Sequence, residues 1–300
     1  MTRKKNQRPA AVIDIDSNAL KMRISQLKKG KITDIDTLEY PLRLGHEVFA
    51  DGKISFESLR ELSSLLHGYS DVLNGYGAGE CQVVATTALR EAENRSFIVD
   101  QLKIQNGVNV EVLEDDREKT LIYWEILNYF SELQYKNDES ALICYIGAGT
   151  IGFSVYDGRQ MVYSQNIPMG SLKLHDMFGN IQNMTEDFYT VVQEYLDSIL
   201  GHISIPLEGG KAANLVLTGN GIRLIAKICG AVPSQNRYDL DVQKLKDLFG
   251  QIREMPPEKI SRKFGLSDEA SELLYSSLAI SLRLLRFTTS AIIFSPNVEL

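Results

Sequence analysis

The sequence predicts an α/β protein built from two similar domains, and three observations carry that prediction. An apolar run, a small polar turn and an apolar return over Ala11–Ile24 recur about 130 residues downstream, over Leu142–Val155. Strand-like runs alternate with helix-like stretches in both halves. A chain of 300 residues with 44% apolar content suits one large domain or two of moderate size.

The first of these stretches reads as a β-hairpin. Its β-branched ascent reaches Asp14, its tip is Asp16-Ser17-Asn18, and its return alternates through Leu20, Met22 and Ile24. The tip offers a carboxylate, a hydroxyl and an amide beside backbone N–H groups, and converging N–H dipoles can cradle a phosphate. Aligned without gaps, Asp14 falls on Tyr145, Asp16 on Gly147, Ser17 on Ala148, Asn18 on Gly149 and Ala19 on Thr150. The pair predicts a duplicated fold with two phosphate loops facing one another across a cleft.

The remaining elements follow in order. A third strand is predicted over Lys31–Tyr40, joined through Lys28-Lys29-Gly30. Ser55 is placed to cap a helix to about Tyr76, whose inward stripe is Leu59, Leu62, Leu65, Leu66, Tyr69, Val72 and Leu73. Residues Cys81–Ala85 read as a short buried strand opening through Thr86-Thr87 into a helix. Val108–Leu113 alternates like a strand and leads to a helix carrying Leu121, Ile122, Trp124, Ile126 and Leu127 inward.

The polar break Lys136–Ser140 leads into the second half, and the domains are drawn at residues 1–126 and 127–300. There the second hairpin is followed by a strand over Met161–Ile167, after a turn at Asp157-Gly158, and by a helix capped by Thr185 that ends near Leu200. Ile205–Gly210 is a loop, and Ala213–Thr218 a buried strand. That strand runs into Gly219-Asn220-Gly221 and a helix to Cys229, a strand–glycine turn–helix arrangement that often holds phosphate. Ser267 opens a long apolar helix to about Phe287, a core element or a dimer face, and Ala291–Phe294 is the last strand.

Charge and composition narrow the function. A net charge of −7 and a pI near 5.3 argue against a nucleic-acid surface. Arg3-Lys4-Lys5 has no apolar stretch behind it and reads as a disordered tail, not a signal peptide, and no run has the length of a membrane span. Cys81, Cys144 and Cys229 sit apart in apolar runs and read as buried thiols, which places the chain in the reducing cytoplasm. His46, His67, His175 and His202 share no metal-ligand spacing.

One stretch, Val84-Ala85-Thr86-Thr87-Ala88-Leu89-Arg90-Glu91-Ala92-Glu93-Asn94, closely resembles the ATSALREAxN motif of the Ppx/GppA phosphatases, the exopolyphosphatase and guanosine pentaphosphate phosphohydrolase family. Ile13-Asp14-Ile15-Asp16-Ser17-Asn18 is similar to that family's IDIGSNS, and Ile167-Pro168-Met169-Gly170-Ser171-Leu172 to its lPlGavrL; Leu44-Gly45 followed by Gly52 also matches. The resemblance implies an actin-like ATPase (ribonuclease H-like) fold in both domains, with the active site in the interdomain cleft. It implies hydrolysis of terminal phosphate from inorganic polyphosphate or guanosine pentaphosphate (pppGpp) with Mg²⁺ or Mn²⁺.

By the same resemblance, alignment on Leu121-Ile122-Tyr123 puts the water-activating glutamate at Glu118. Asp14 becomes a metal-side carboxylate, Ser17 and Asn18 first-loop phosphate contacts, Arg90 a phosphate clamp, Gly147, Gly149 and Thr150 the second loop, and Gly219 and Gly221 a substrate-side loop. Read without the family, Glu118 is an exposed first-turn helix acid, Asp14 a turn former and Arg90 a local salt-bridge partner.

The chain departs from the family's DIGGGSTE at Tyr145 and Gly152, where aspartate and glutamate are usual, and Asp16 replaces the first-loop glycine. Reduced activity is therefore expected. The rival reading is an inactive relative that binds polyphosphate or a nucleotide as a sensor; a sugar or acetate kinase of the same broad fold is the third. A homodimer and a further C-terminal domain beyond Leu300 are also expectations at this point.

Overall fold

A computed structural model describes residues 8–132, 139–179, 188–234 and 237–296, with backbone alone for 129–132. The basic stretch Arg3–Lys5, most of the break at 136–140, and Thr185 lie outside the described residues. The chain divides into two compact units, Met1–Glu118 and Lys119–Leu300.

The first unit holds a five-stranded sheet in the order β3-β2-β1-β4-β5. Its strands are β1 (Ala10–Ile15), β2 (Ala19–Lys28), β3 (Lys31–Pro41), β4 (Glu80–Ala85) and β5 (Val110–Val112). β1 to β3 form an antiparallel meander, while β4 and β5 run parallel to β1. Helices α1 (Leu44–Asp51), α2 (Phe56–Tyr76), α3 (Thr87–Glu91) and α4 (Arg95–Asn106) supply the crossovers, and α5 (Asp115–Glu132) leaves the unit. Ser55 caps α2 by accepting the Ser58 N–H at 3.1 Å, and Leu59, Leu62, Leu66 and Tyr69 form its buried face.

The second unit repeats the plan. Strands β6 (Ala141–Ile146), β7 (Ile151–Tyr156), β8 (Met161–Ile167), β9 (Asn214–Thr218), β10 (Arg237–Asp241) and β11 (Ile292–Pro296) lie in the order β10-β11-β9-β6-β7-β8. Read from the other edge, β8-β7-β6-β9-β11 matches β3-β2-β1-β4-β5 in both order and direction. The duplicated hairpin is therefore a duplicated sheet. Asp14 lies between Lys21 and Val84 in one ladder, and Tyr145 lies between Gly152 and Thr218 in the other.

Helices α6 (Ser171–Phe178), α7 (Phe188–Leu200), α8 (Asn220–Ile228), α9 (Val242–Ile252), α10 (Pro257–Phe264) and α11 (Asp268–Leu284) complete this unit. Of the two readings for α11, the core one holds: Leu274, Leu278, Ile280 and Leu284 are fully buried beside Phe153 and Leu196. Each such side chain contributes about 1.5–3 kcal/mol of burial free energy.

Several expectations need correction. Leu121, Trp124 and Leu127 point outward, and the buried face of α5 is instead Ile122, Tyr123 and Ile126, packed on Ala141, Ile143 and Val216. Cys81 is exposed and Cys229 half-buried, leaving Cys144 as the buried thiol. β4 is covered by β5 only over Val83–Ala85, so its first half, including Cys81, stays open. Several elements were not foreseen, α6 among them. α1 is a short helix within the stretch after Pro41, and β10 has too many charges to read as a strand, because it is an edge strand added antiparallel to β11. Among the described residues no helix is long and apolar enough to cross a membrane.

Candidate active site

In the first unit the predicted residues Asp14, Ser17, Arg90 and Glu118 come to the same end of the sheet. β1 delivers Asp14 at its C-terminal end, and the tip of the hairpin follows it with Asp16 and Ser17. Asp14 and Ser17 are buried, and among the described residues Asp14 Oδ1 and Ser17 Oγ have no hydrogen-bond partner. A buried polar atom without a partner costs about 1–3 kcal/mol. The fold carries this cost twice within four residues, at Asp14 and at Ser17.

The tip is shaped by its own backbone. Asp16 N–H donates to the Ala19 carbonyl at 3.0 Å, while the Ser17 and Asn18 carbonyls accept from Gly45 and Leu42, each at 2.8 Å. The Asp16 carboxylate accepts the Ser17 N–H at 2.7 Å and pairs with Lys21 at 3.6 Å. An amide that a phosphate loop would present to its ligand is thus taken by an internal anion.

Glu118 stands in the first helical turn of α5 and is buried, not exposed as an ordinary helix-start acid would be. Arg90, on α3, holds it. Its Nη1 donates to Glu118 Oε2 at 2.9 Å and to the Leu113 carbonyl at 2.7 Å, and its Nη2 donates to Thr87 Oγ1 at 3.0 Å and pairs with Asp115. The guanidinium expected to clamp phosphate is therefore engaged with protein acceptors on both of its terminal nitrogens.

Burial pushes the Glu118 carboxyl above the usual range, against the pull of Arg90, with Asp16 and Asp115 adding to the rise. The Asp14 carboxyl is raised to about 8 by burial and by Asp16, with Lys21 opposing and Glu118 adding to the rise. Burial and like charge thus displace both carboxyls of this cluster upward.

In the second unit the loop Gly147–Thr150 closes on itself and on α6. Gly147 N–H donates to the Thr150 carbonyl at 2.9 Å. The Gly147 carbonyl accepts from Ser171 at 2.9 Å, and the Ala148 carbonyl accepts from Leu172 and Lys173 at 3.0 and 3.1 Å. Gly170 is required by this packing, since a Cβ there would lie 2.3 Å from the Ala148 oxygen. The Tyr145 ring lies against Gly147, and Gly152 faces the buried Tyr123 hydroxyl, so aromatic side chains surround a place where the resemblance expects carboxylates.

Gly219 and Gly221 have packing reasons of their own. Gly219 adopts φ +127°, and a Cβ there would sit 2.2 Å from the Ile146 oxygen; Gly221 lies against Ser277 of α11. Residues that the sequence reading did not single out at the first site are Lys21, Thr87 and Asp115. Lys21 is the one with a signal, being the cross-strand neighbour of Asp14 in a hairpin of that register.

A five-strand meander-plus-parallel sheet occurring in both halves, with a buried carboxylate at the end of the first strand, defines a two-domain α/β protein of the actin-like class. The model of the Ppx/GppA phosphatase family matches residues 23–298, and the chain belongs to that family. Exopolyphosphatase 1 of Mycobacterium leprae is 23% identical over 276 residues, spanning 90% of this chain and 80% of that protein. The Mycobacterium bovis protein of the same name is 22% identical over 292 residues, 95% of this chain and 84% of its own. Among solved structures, an exopolyphosphatase from Cytophaga hutchinsonii superposes with a TM-score of 0.84 at 18% identity, covering 96% of this chain and 93% of that one. The Aquifex aeolicus PPX-GPPA enzyme gives 0.76 at 21% identity, covering 96% and 95%. These last two likenesses establish the fold.

Proposed function

We propose that this chain releases terminal phosphate from inorganic polyphosphate or guanosine pentaphosphate, in the cytoplasm and at reduced rate, with Glu118 as the catalytic carboxylate. The observation that carries the reading is Glu118 itself: buried, raised in pKa and fixed by Arg90 at 2.9 Å. Hydrolysis of a phosphoanhydride needs a carboxylate to orient and deprotonate water, and charge compensation for the phosphoryl oxygens. Glu118 fills the first role, and Arg90 serves it as a positioning residue. Ser17 and Asn18 remain the phosphate contacts on the first loop, and Gly147, Gly149 and Thr150 those on the second, with Gly219 and Gly221 on the substrate side.

A divalent ion fits this reading at Asp14. Mg²⁺ is usually held by one or two carboxylates together with water and substrate phosphates, so a lone buried carboxylate with an open oxygen meets its requirement. The described residues contain no cluster of metal-ligating side chains that would hold the ion alone. When bound, the ion would offset charge on the phosphate oxygens.

The second reading, an inactive relative that binds polyphosphate or a nucleotide as a sensor, is favoured by the Asp16–Ser17 contact and by the tyrosines around Gly152. Phosphate release from long-chain polyphosphate and from guanosine pentaphosphate, with Mg²⁺ or Mn²⁺, separates the two when run on the wild type and on Glu118→Gln. Turnover lost in the variant supports hydrolysis. Binding without turnover in either protein supports the sensor.

A further inference from the structure

We propose that a groove between α7, α9 and α11, wholly within the second unit, is an additional binding site for the phosphate chain of a small ligand. The groove encloses about 300 Å³, at the lower end of the roughly 300–1,000 Å³ typical of small-molecule sites. Its apolar walls are Tyr189, Phe249 and Leu282. Its charged residues are Lys246, Arg253 and Arg283, and among the described residues no carboxylate lines it.

The nearby acids leave this positive charge in excess. Arg253 reaches Glu254 at 3.1 Å, away from the groove's lining, and stacks over the Tyr189 ring at 6.0 Å. Arg283 pairs with Asp197 at 3.4 Å, but the same carboxylate also takes Arg286 at 3.0 Å. The Arg283 Nε–H is buried without an acceptor among the described residues. Lys246 forms no ion pair among the described residues.

Gly250 supplies an independent observation. It stands inside α9, where glycine costs roughly 0.5–1 kcal/mol relative to alanine. Packing does not require it, because a Cβ there would meet nothing within 4 Å. Gly250 thus lines the groove as exposed backbone with open space above it.

Arginine and lysine converging on a cavity of this size match phosphate oxygens, arginine through its planar donor fork and lysine as a point charge. The overall charge of −7 argues against an extended nucleic acid. Two sources share this phosphate chemistry, an inorganic polyphosphate and a nucleotide whose ring would rest on Tyr189, and the test separates them. The site does not depend on the hydrolase reading.

The experiment is calorimetric titration of the full chain with tripolyphosphate and, separately, with ATP. The wild type, Gly250→Glu, Lys246→Ala, Tyr189→Ala and Glu118→Gln are compared at fixed salt. One binding component is expected to weaken roughly tenfold or more in Gly250→Glu and in Lys246→Ala, since a like charge enters or a cation leaves, and to persist in Glu118→Gln. Unchanged melting of Gly250→Glu shows that the fold is kept, and Lys246→Ala carries the test if it is not. Equal binding of the two ligands assigns the inorganic chain; tighter ATP binding that Tyr189→Ala removes assigns a nucleotide. No binding to the wild type, or the same affinity and stoichiometry in Gly250→Glu and Lys246→Ala, overturns the proposal. Absence of turnover with this component intact would overturn the hydrolase reading alone.

Discussion

Arg90 holds Glu118 through a 2.9 Å hydrogen bond with both side chains almost fully buried. Glu118→Gln keeps the shape of the site and removes the proposed base, so turnover should fall by roughly 10²–10⁴, the usual contribution of a positioned general base. The melting temperature should change little. A variant that retains full turnover would remove Glu118 from the chemistry.

Arg90→Ala should behave differently, because it leaves a buried carboxylate unpaired. Breaking a buried pair by deleting one partner costs about 3–5 kcal/mol, so denaturation should show a large loss. The positioning role adds a second readout. Without the cation the Glu118 pKa climbs further, and the acid limb of the rate profile should move to higher pH. Arg90→Lys should recover part of the stability and little of the rate, since an ammonium cannot serve Glu118, Leu113 and Thr87 from one plane. An unmoved acid limb in Arg90→Ala would reduce Arg90 to a packing role.

The fold was legible because both hairpins keep the period-2 alternation of half-buried strands, and the spacing between them gives away the duplication. The exposed side of α5 was not. Leu121, Ile122, Trp124, Ile126 and Leu127 fit an inward stripe by hydropathy alone, and only the sheet packed beneath the helix decides that Ile122, Tyr123 and Ile126 face it. At the site, the resemblance pointed to Glu118, Asp14 and Arg90, but sequence could not reveal that Arg90 is engaged by protein acceptors. Asp115 and the Leu113 carbonyl reach it from outside α3, and only Thr87 comes from its own helix.

Asp14 gives a pH dependence whose sign is fixed. Its carboxyl is raised from 3.8 to about 8 in the folded chain. Between those values the folded state holds a proton that the unfolded state has released, so stability from this group is fully present below about pH 4 and is lost as pH rises toward 8. Asp14→Asn cannot ionise, so without divalent metal it should gain stability over the wild type at pH 8 and not at pH 4. Denaturant midpoints at the two pH values measure this. An equal difference at both would mean that Asp14 is ionised throughout, with its charge compensated by neighbours such as Lys21.

Gly170 links the second loop to α6 by a contact that no side chain can enter. With the Ala148 oxygen 2.3 Å from where a Cβ would stand, Gly170→Ala must displace backbone, and overpacking of this kind costs about 1–3 kcal/mol. Gly250→Ala, inside a helix with open space above it, should instead stabilise by about 0.4–1 kcal/mol. The two thermal shifts should therefore have opposite signs. A Gly170→Ala variant that stabilises would show that the loop carbonyl yields to the added methyl, and a destabilised Gly250→Ala would show that α9 needs its glycine.

Asp16 carries the sharpest prediction about activity, because it places a carboxylate inside the loop proposed to hold phosphate. Its carboxylate takes the Ser17 N–H at 2.7 Å and keeps a negative charge beside Asp14 and Glu118. Asp16→Gly frees that donor and removes the charge. A hydrogen bond to a charged group is worth about 1.5–3 kcal/mol, so the variant should bind tripolyphosphate roughly tenfold or more tightly, and turnover on polyphosphate should rise with it. Asp16→Asn should give an intermediate result, since it removes the charge but keeps an oxygen for Ser17. Weaker binding in Asp16→Gly, together with a higher Mg²⁺ requirement, would assign Asp16 to the cation instead and make the replaced glycine a gain of metal ligand, not a loss of phosphate cradle.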